Sequence, residues 1–345
     1  MLIGIDSFVS TVTDPATGRD TTPGERVAHL LEEVEQADRV GLDTYGIGEH
    51  HRSEYLDSAP TVLLAAAAAR TSRIRLNSAV AVLSAADPVR LWQEFATLDL
   101  VSGGRTDLVV GRGSFTEAFP LFGLDLADYD ALFVEKLELL LRLRESATVT
   151  WSGRFRPPLR GEVVSPRPLQ DPLPVWVGVG GSPESFVRAG ALGLPLMVAI
   201  IGGQPARFRP LVDLYRESGR RAGHAPEQLQ VGVHAFGYVA ESEGKARDDF
   251  YPGWAQMFAK IGRERGFGAP GRAQFDAMCA PDGAFLIGDP DQVAAKLRRL
   301  HDDLGGLART SLQMTNVRLG HDDLLRSIAL LGTEVAPQAR EALGG

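Results

Sequence analysis

Short apolar, β-branched runs alternate with longer amphipathic runs along almost the whole chain. No other feature constrains the fold as strongly, because strands joined by helical crossovers must run parallel. Residues 2–8 read as a strand. Val27, Leu30, Leu31, Val34 and Ala37 then recur at helical spacing over 25–40, and Gly41 stops that helix. Further strands are expected at 43–48, 73–83, 106–110, 174–178, 196–201, 230–239 and 310–314. Helices are expected over 60–70, 88–100, 129–144, 184–192, 206–222, 242–265, 291–304 and 322–331, with Pro252-Gly253 breaking or kinking the 242–265 run. The stretch 151–174 holds six prolines and no helical period, so it reads as an excursion with one short strand near Val163. Residues 268–282 read as a second irregular excursion, followed by a short strand at 284–287. Eight principal strands, most followed by a helix, predict an α/β fold: a (β/α)8 TIM barrel with insertions in the βα loops. A doubly wound open sheet is the alternative. The expected organisation is a single domain over 1–345, with insertions around 151–174 and 240–283.

Composition narrows the function. The 345 residues carry 36 Lys and Arg against 44 Asp and Glu, a net charge of −8. That balance argues against nucleic-acid or membrane-surface partners, whose footprint is basic. Cys279 is the one cysteine, which excludes a disulfide framework and a thiolate zinc cluster and fits a reducing, cytoplasmic setting. The N-terminus meets Asp6 with no basic region before it, so no signal peptide is expected. The longest apolar stretches, 62–69 and 195–203, are too short to span a bilayer. An enzyme fits this size.

In a barrel of this kind chemistry sits where strands end at their C-termini. Glu49-His50-His51 closes the second strand, where a histidine serves as base, proton donor or ligand, or as a locally satisfied structural pair. Adjacent residues on an extended chain face opposite sides, which disfavours both imidazoles on one metal ion, and no metal site is expected. Gly111-Arg112-Gly113-Ser114 follows the fourth strand. Glycines admit a ligand close to the backbone and arginine offers a fork matched to phosphate, although a turn with a surface charge has the same composition. In 179–185, Ser182 is a natural N-cap and Pro183 fits the first helical position. That helix start suits an anion, or is an ordinary capped helix. Phe115, Phe119, Phe122 and Tyr129 line a pocket or pack a loop.

Taken together these segments resemble the bacterial luciferase-like flavin monooxygenases, which are (β/α)8 barrels. The resemblance covers nearly the whole chain. It is carried by Gly48-Glu49-His50-His51, by 78–83 with Asp87-Pro88-Val89-Arg90, by Gly104-Arg105 leading to Gly111-Arg112-Gly113, by Phe122-Gly123, and by the tail 332–337. It implies a cytoplasmic monooxygenase that uses reduced FMN and O2, through a flavin C4a-(hydro)peroxide, to oxygenate a small organic substrate. A separate flavin reductase supplies the reduced FMN, and the chain forms a homodimer. By the same resemblance His50 is the catalytic residue. Arg112, Ser182, Ser185 and the amide of Gly181 bind the FMN phosphate. Gly111 and Ser114 lie along the ring, and a non-prolyl cis peptide between Ala79 and Val80 presses on it. Gly111 stands where luciferase carries a cysteine, which weakens any expectation of light emission. A deazaflavin-dependent dehydrogenase or reductase of the same fold, and a non-catalytic flavin-binding protein, are the rival readings.

Overall fold

A computed structural model describes residues 1–15 and 17–344. Its strands in chain order are β1 (Leu2–Ser7), β2 (Thr44–Ile47), β3 (Arg75–Ser78), β4 (Ala81–Val82), β5 (Thr106–Gly111), β6 (Thr148–Trp151), β7 (Leu159–Val163), β8 (Val175–Val179), β9 (Leu196–Ala199), β10 (Val231–Val239), β11 (Leu286–Gly288) and β12 (Arg309–Gln313). β1, β2, β3 with its continuation β4, β5, β8, β9, β10 and β12 form a closed eight-stranded parallel barrel. Closure is explicit in the pairings. β10 pairs with β9 at Val231↔Leu196 and with β12 at Gly232↔Arg309, and β12 pairs with β1 at Arg309↔Leu2. An open sheet is thereby excluded. β11 adds to β10 outside the ring, and β6 and β7 form a separate antiparallel hairpin.

The helices are α1 (Pro23–Arg39), α2 (Pro60–Ala68), α3 (Pro88–Ser102), α4 (Ala118–Leu121), α5 (Tyr129–Glu145), α6 (Pro183–Ala191), α7 (Arg209–Arg221), α8 (Glu243–Arg265), α9 (Arg272–Cys279), α10 (Pro290–Asp303), α11 (His321–Leu330) and α12 (Ala336–Ala342). Local chemistry sets their ends. Thr22 and Glu25 make a reciprocal capping box at α1, and Asp87 accepts from the Val89 and Arg90 amides to start α3. Gly103, at φ 68°, ends α3 in the left-handed conformation. The helices bury one face each against the barrel, with Leu30 and Val34 of α1, Trp92 and Phe95 of α3, and Leu140 of α5 among the sealed side chains.

Side chains of alternate strand residues fill the barrel. Val109, Trp176 and Met197 form one apolar group there. Beside it the Arg309 guanidinium donates to Asp107 at 3.3 Å and to Asn77, and Asp107 also takes Arg75. The barrel floor is thus a charged layer rather than hydrocarbon alone, with Arg309 Nε left without a partner among the described residues.

Four local expectations are corrected. The third strand, expected as 73–83, is two pieces, because the chain turns between β3 and β4 to pair onward with β5. The excursion 151–174 holds the one expected strand, Leu159–Val163, but an unexpected strand before it, Thr148–Trp151, pairs with it to make a hairpin. Residues 268–282 contain α9, whose Phe275 and Cys279 are buried. The helix α8 runs through Pro252-Gly253 without a break, so of the two expected outcomes the break is corrected. Pro252 is exposed, and so is Asp248, whose carbonyl loses its amide partner, so water can serve that carbonyl.

Candidate active site

At the C-terminal mouth of the barrel small residues cluster on one side. Gly46 and Gly48 close β2, Gly111 ends β5, Gly178 is in β8 and Ala199 ends β9. The peptide between Ala79 and Val80 is cis. The Val80 side chain fills the space these glycines leave: a Cβ on Gly111 would lie 2.6 Å from Val80 Cγ2, and one on Gly178 would lie 2.7 Å from Val80 Cγ1. Glycine at 111 therefore has a steric reason in this chain, independent of any missing thiol. Val80, Gly178, Ala199 and His234 are only half-buried although they sit within or beside otherwise sealed strands, and together they outline the open mouth.

Against Gly48 lies an aromatic wall, since a Cβ there would meet Phe8 Cδ1 at 2.7 Å and His50 Cε1 at 3.0 Å. The His50 ring meets Phe8 at 4.6 Å, Tyr55 at 4.5 Å and Phe115 at 5.5 Å between centroids. Phe8 precedes Val9, a buried β-branched residue at φ 48°. Such a residue is held there only by its surroundings. Here Ser7 Oγ accepts from the Val9 amide, and the Val9 carbonyl accepts from Leu56.

His50 is fixed by Asp57, which accepts from its backbone amide at 3.1 Å and contacts Nδ1 at 2.8 Å. Asp57 is fully buried, and burial pushes its carboxyl up, opposed by His50. With Nδ1 held, Nε2 has no partner among the described residues and is not sealed, so it is the atom offered to a ligand. His51 takes a different part. Its Nε2 meets Glu49 at 3.0 Å, and the other oxygen of Glu49 accepts from the Val82 amide at 2.8 Å. That bridge anchors β4 and so supports Val80.

The expected phosphate residues lie on neighbouring strands, since Val110 pairs with Val177 just before Arg112 and Gly180-Gly181 respectively. Gly180 and Gly181 are exposed, and a Cβ on either would meet nothing within 4 Å. Ser182 occupies the N-cap position of α6 but caps nothing. Its hydroxyl instead bonds Ser185 Oγ at 2.8 Å, so the expected capped helix is corrected to an open helix start with two paired hydroxyls. Free amides, a helix dipole, hydroxyl donors and an open glycine cradle fit the phosphate of a flavin nucleotide. Arg112 is turned to Asp130, which is largely exposed, and lies 5.4 Å over the Tyr129 ring. Ser114 is exposed, with its carbonyl taking Arg265 at 2.7 Å.

A family model for luciferase-like monooxygenases matches residues 5–306. The chain belongs to that family. Among this luciferase-like protein's relatives, 4-hydroxyprotoasukamycin monooxygenase from Streptomyces nodosus subsp. asukaensis is 27% identical, with 94% of this chain and 90% of the relative covered. The crystal structure of a monooxygenase from Streptomyces bottropensis superposes with a TM-score of 0.84 at 26% identity, covering 98% and 99% of the two chains. The oxygenating constituent of 3,6-diketocamphane monooxygenase from Pseudomonas putida, solved with FMN, shares the fold at TM-score 0.78 and 20% identity, covering 98% of each chain. So does a coenzyme F420-dependent secondary alcohol dehydrogenase, at TM-score 0.75 and 19% identity, covering 98% and 99%. Relatives named as monooxygenases support an oxidoreductase. Among the described residues of this family member no helix is long and apolar enough to cross a membrane, and no cluster of His, Cys, Asp or Glu suits a metal ion.

Sequence reasoning misses Asp57, Tyr55, Asp6 and His234 as mouth residues. Asp57 carries a signal in hindsight, a lone acid among small residues seven positions after His50. His234 shares strand parity with Gly232 and Phe236 on a strand that is apolar elsewhere.

Proposed function

We propose that the protein is an FMN-dependent monooxygenase that uses reduced FMN, supplied by a separate reductase, and O2 to oxygenate a small organic substrate. The observation that carries this reading is the open, uncapped start of α6 with its glycine cradle and hydroxyl pair, one strand away from Arg112 and beside the mouth that Val80 floors. Reduced flavin, when bound, supplies the electrons that activate O2. Everything else falls to the chain. Ser182, Ser185 and the Gly181 amide hold the phosphate, and Arg112 exchanges Asp130 for it. That exchange is cheap, because an exposed ion pair is worth about 0–1 kcal/mol. The glycines at 111 and 178 and the Val80 side chain shape the seat of the ring. Asp57 fixes the His50 ring, so that Nε2 holds or delivers a proton at the mouth, and Phe8, Tyr55 and Phe115 keep water from that face.

Titration with FMN and riboflavin, each oxidised and anaerobically reduced, tests this. Tighter binding of reduced FMN, with riboflavin markedly weaker, is the expected result. Equal affinity for FMN and riboflavin, or no binding in either redox state, overturns the assignment and moves a deazaflavin dehydrogenase to the front. Flavin binding without oxygen consumption on adding reduced FMN identifies a carrier instead.

A further inference from the structure

A second histidine–carboxylate pair faces the same mouth. His234 comes from the middle of β10, and its Nδ1 lies 2.7 Å from Asp6 Oδ2 on β1. The two residues are 228 positions apart and meet because β12 lies between their strands. Asp6 is sealed, and its other oxygen, Oδ1, has no partner among the described residues. The His234 ring stacks on Phe8 with centroids 5.6 Å apart and planes 17° apart. Phe8 also meets His50, with centroids 4.6 Å apart. One phenylalanine therefore touches two imidazoles, each held at Nδ1 by a buried carboxylate and each with no partner for Nε2 among the described residues.

Only one such group is needed beside the flavin, and the mechanism above uses His50. We propose that His234 binds the substrate, its Nε2 accepting a hydrogen bond from a hydroxyl on an aromatic or conjugated compound seated at the mouth. This deepens the monooxygenase reading and rests on it. The charge pattern sets the polarity of the contact. The groups around His234 are Asp6 on β1, the Arg309 guanidinium on β12 within electrostatic reach of Asp6, and beyond them Asp107 on β5 and Arg75 on β3. Across Phe8 stand His50 and Asp57. Two carboxylates already balance two guanidiniums in the barrel. With Asp6 accepting from Nδ1–H, the neutral ring presents a lone pair at Nε2. A lone pair selects a hydroxyl donor over an ether or a ketone, which offer only acceptors. Phe8 and Phe115, both only partly buried, border the mouth with apolar edges for the rest of the molecule.

The probes are 1-naphthol and 1-methoxynaphthalene, equal in ring surface but differing in the donor. Binding to flavin-free protein is measured by calorimetry at about pH 7.5, above the ordinary histidine range. The protein is expected to prefer naphthol by roughly tenfold, the worth of one good hydrogen bond. His234→Phe, which preserves the stack on Phe8, should shrink that preference to within about twofold. In the unmutated protein, long-range 15N NMR should show His234 protonated at Nδ1 only, a readout that needs no variant to fold. Equal affinity for the two probes, binding of neither, a preference that survives in His234→Phe, or a tautomer protonated at Nε2 each overturns the proposal. Because flavin is absent from these measurements, their failure is distinct from a failure of FMN selectivity.

Discussion

A single side chain at this barrel mouth does its work through the partner that aims it. Arg112 illustrates the point for the cofactor. Arg112→Ala should weaken FMN binding by about 1.5–3 kcal/mol, the range for hydrogen bonds to charged groups, while riboflavin affinity stays the same. Asp130→Asn should instead tighten FMN slightly, by no more than about fivefold, because it frees Arg112 from an exposed pair. A fluorescence titration of both variants checks the pair of predictions, and a loss of FMN affinity in Asp130→Asn would contradict them. Asp57 illustrates it for the chemistry. Burial pushes this carboxyl above its ordinary range. The folded chain then binds that proton more tightly than the unfolded chain does, so its contribution to stability is present at low pH and is lost as pH rises through the raised value. Asp57→Asn removes the buried charge but not the shape. Near neutral pH it should leave the melting temperature unchanged or raise it, while oxygen consumption with reduced FMN falls by roughly 10–100-fold through loss of the orienting carboxylate. An unchanged rate would remove His50 from the chemistry.

Elements act here by exchanging volume and charge across their seams. Val80 sits in the gap made by Gly111 on β5 and Gly178 on β8. Gly111→Ala should therefore cost about 1–3 kcal/mol of stability by overpacking, and adding Val80→Ala should recover most of it, a coupling readable in a double-mutant cycle by urea unfolding. Between α1 and α11 the rings of His29 and His321 stack at 3.9 Å. Burial opposes a charge on both, and it leaves His29 below the usual histidine value. At His321 the carboxylates of Glu33 and Glu32 prevail and hold it above. The raised group contributes stability that is full below the unfolded value, near 6.5, and is lost as pH rises through the folded one. His321→Gln should thus lower the melting temperature by about 1–2 °C more at acidic than at alkaline pH. An equal loss at both would refute the ion-pair account. These seams also show what a sequence can and cannot carry. The strands at 106–110 and 196–201 are legible because glycine and proline bound them, and α3 is legible from Asp87-Pro88. The division of the third strand is not, since apolar residues run through it and only pairing with β5 separates its halves. Nor is the hairpin at Thr148–Trp151, whose partner lies beyond a proline-rich stretch.

Across the whole molecule, closure of the barrel creates contacts that no window of sequence contains. His234 reads as an isolated histidine on an apolar strand until β10, β12 and β1 join and bring Asp6 to it. The His50 end of the site is more legible, because Glu49, His50 and His51 are contiguous and Asp57 lies only a loop away. The mouth is also closed by a clasp drawn from three distant segments. Arg52, after β2, reaches Glu54 at 2.9 Å, Glu117 on the loop after β5 at 2.7 Å, and Glu264 at the end of α8 at 2.6 Å. Lys260 adds a bond to Glu54, Arg265 holds the Ser114 carbonyl, and both Arg52 and Arg265 lie over the Phe115 ring. Arg52 is nearly buried but its carboxylate partners are part-exposed, so the clasp governs local opening more than global stability. Arg52→Ala should leave the melting temperature within about 2 °C of the parent. Hydrogen exchange in residues 112–124 and 258–266 should meanwhile accelerate by roughly tenfold or more, since their common tie is gone. Salt should mimic the variant in the parent protein, because exposed charges are screened over about 8–10 Å at physiological ionic strength. Uniform acceleration across the chain would show that Arg52 supports the fold as a whole, and no acceleration would show that the aromatic packing of Phe115 closes the mouth by itself.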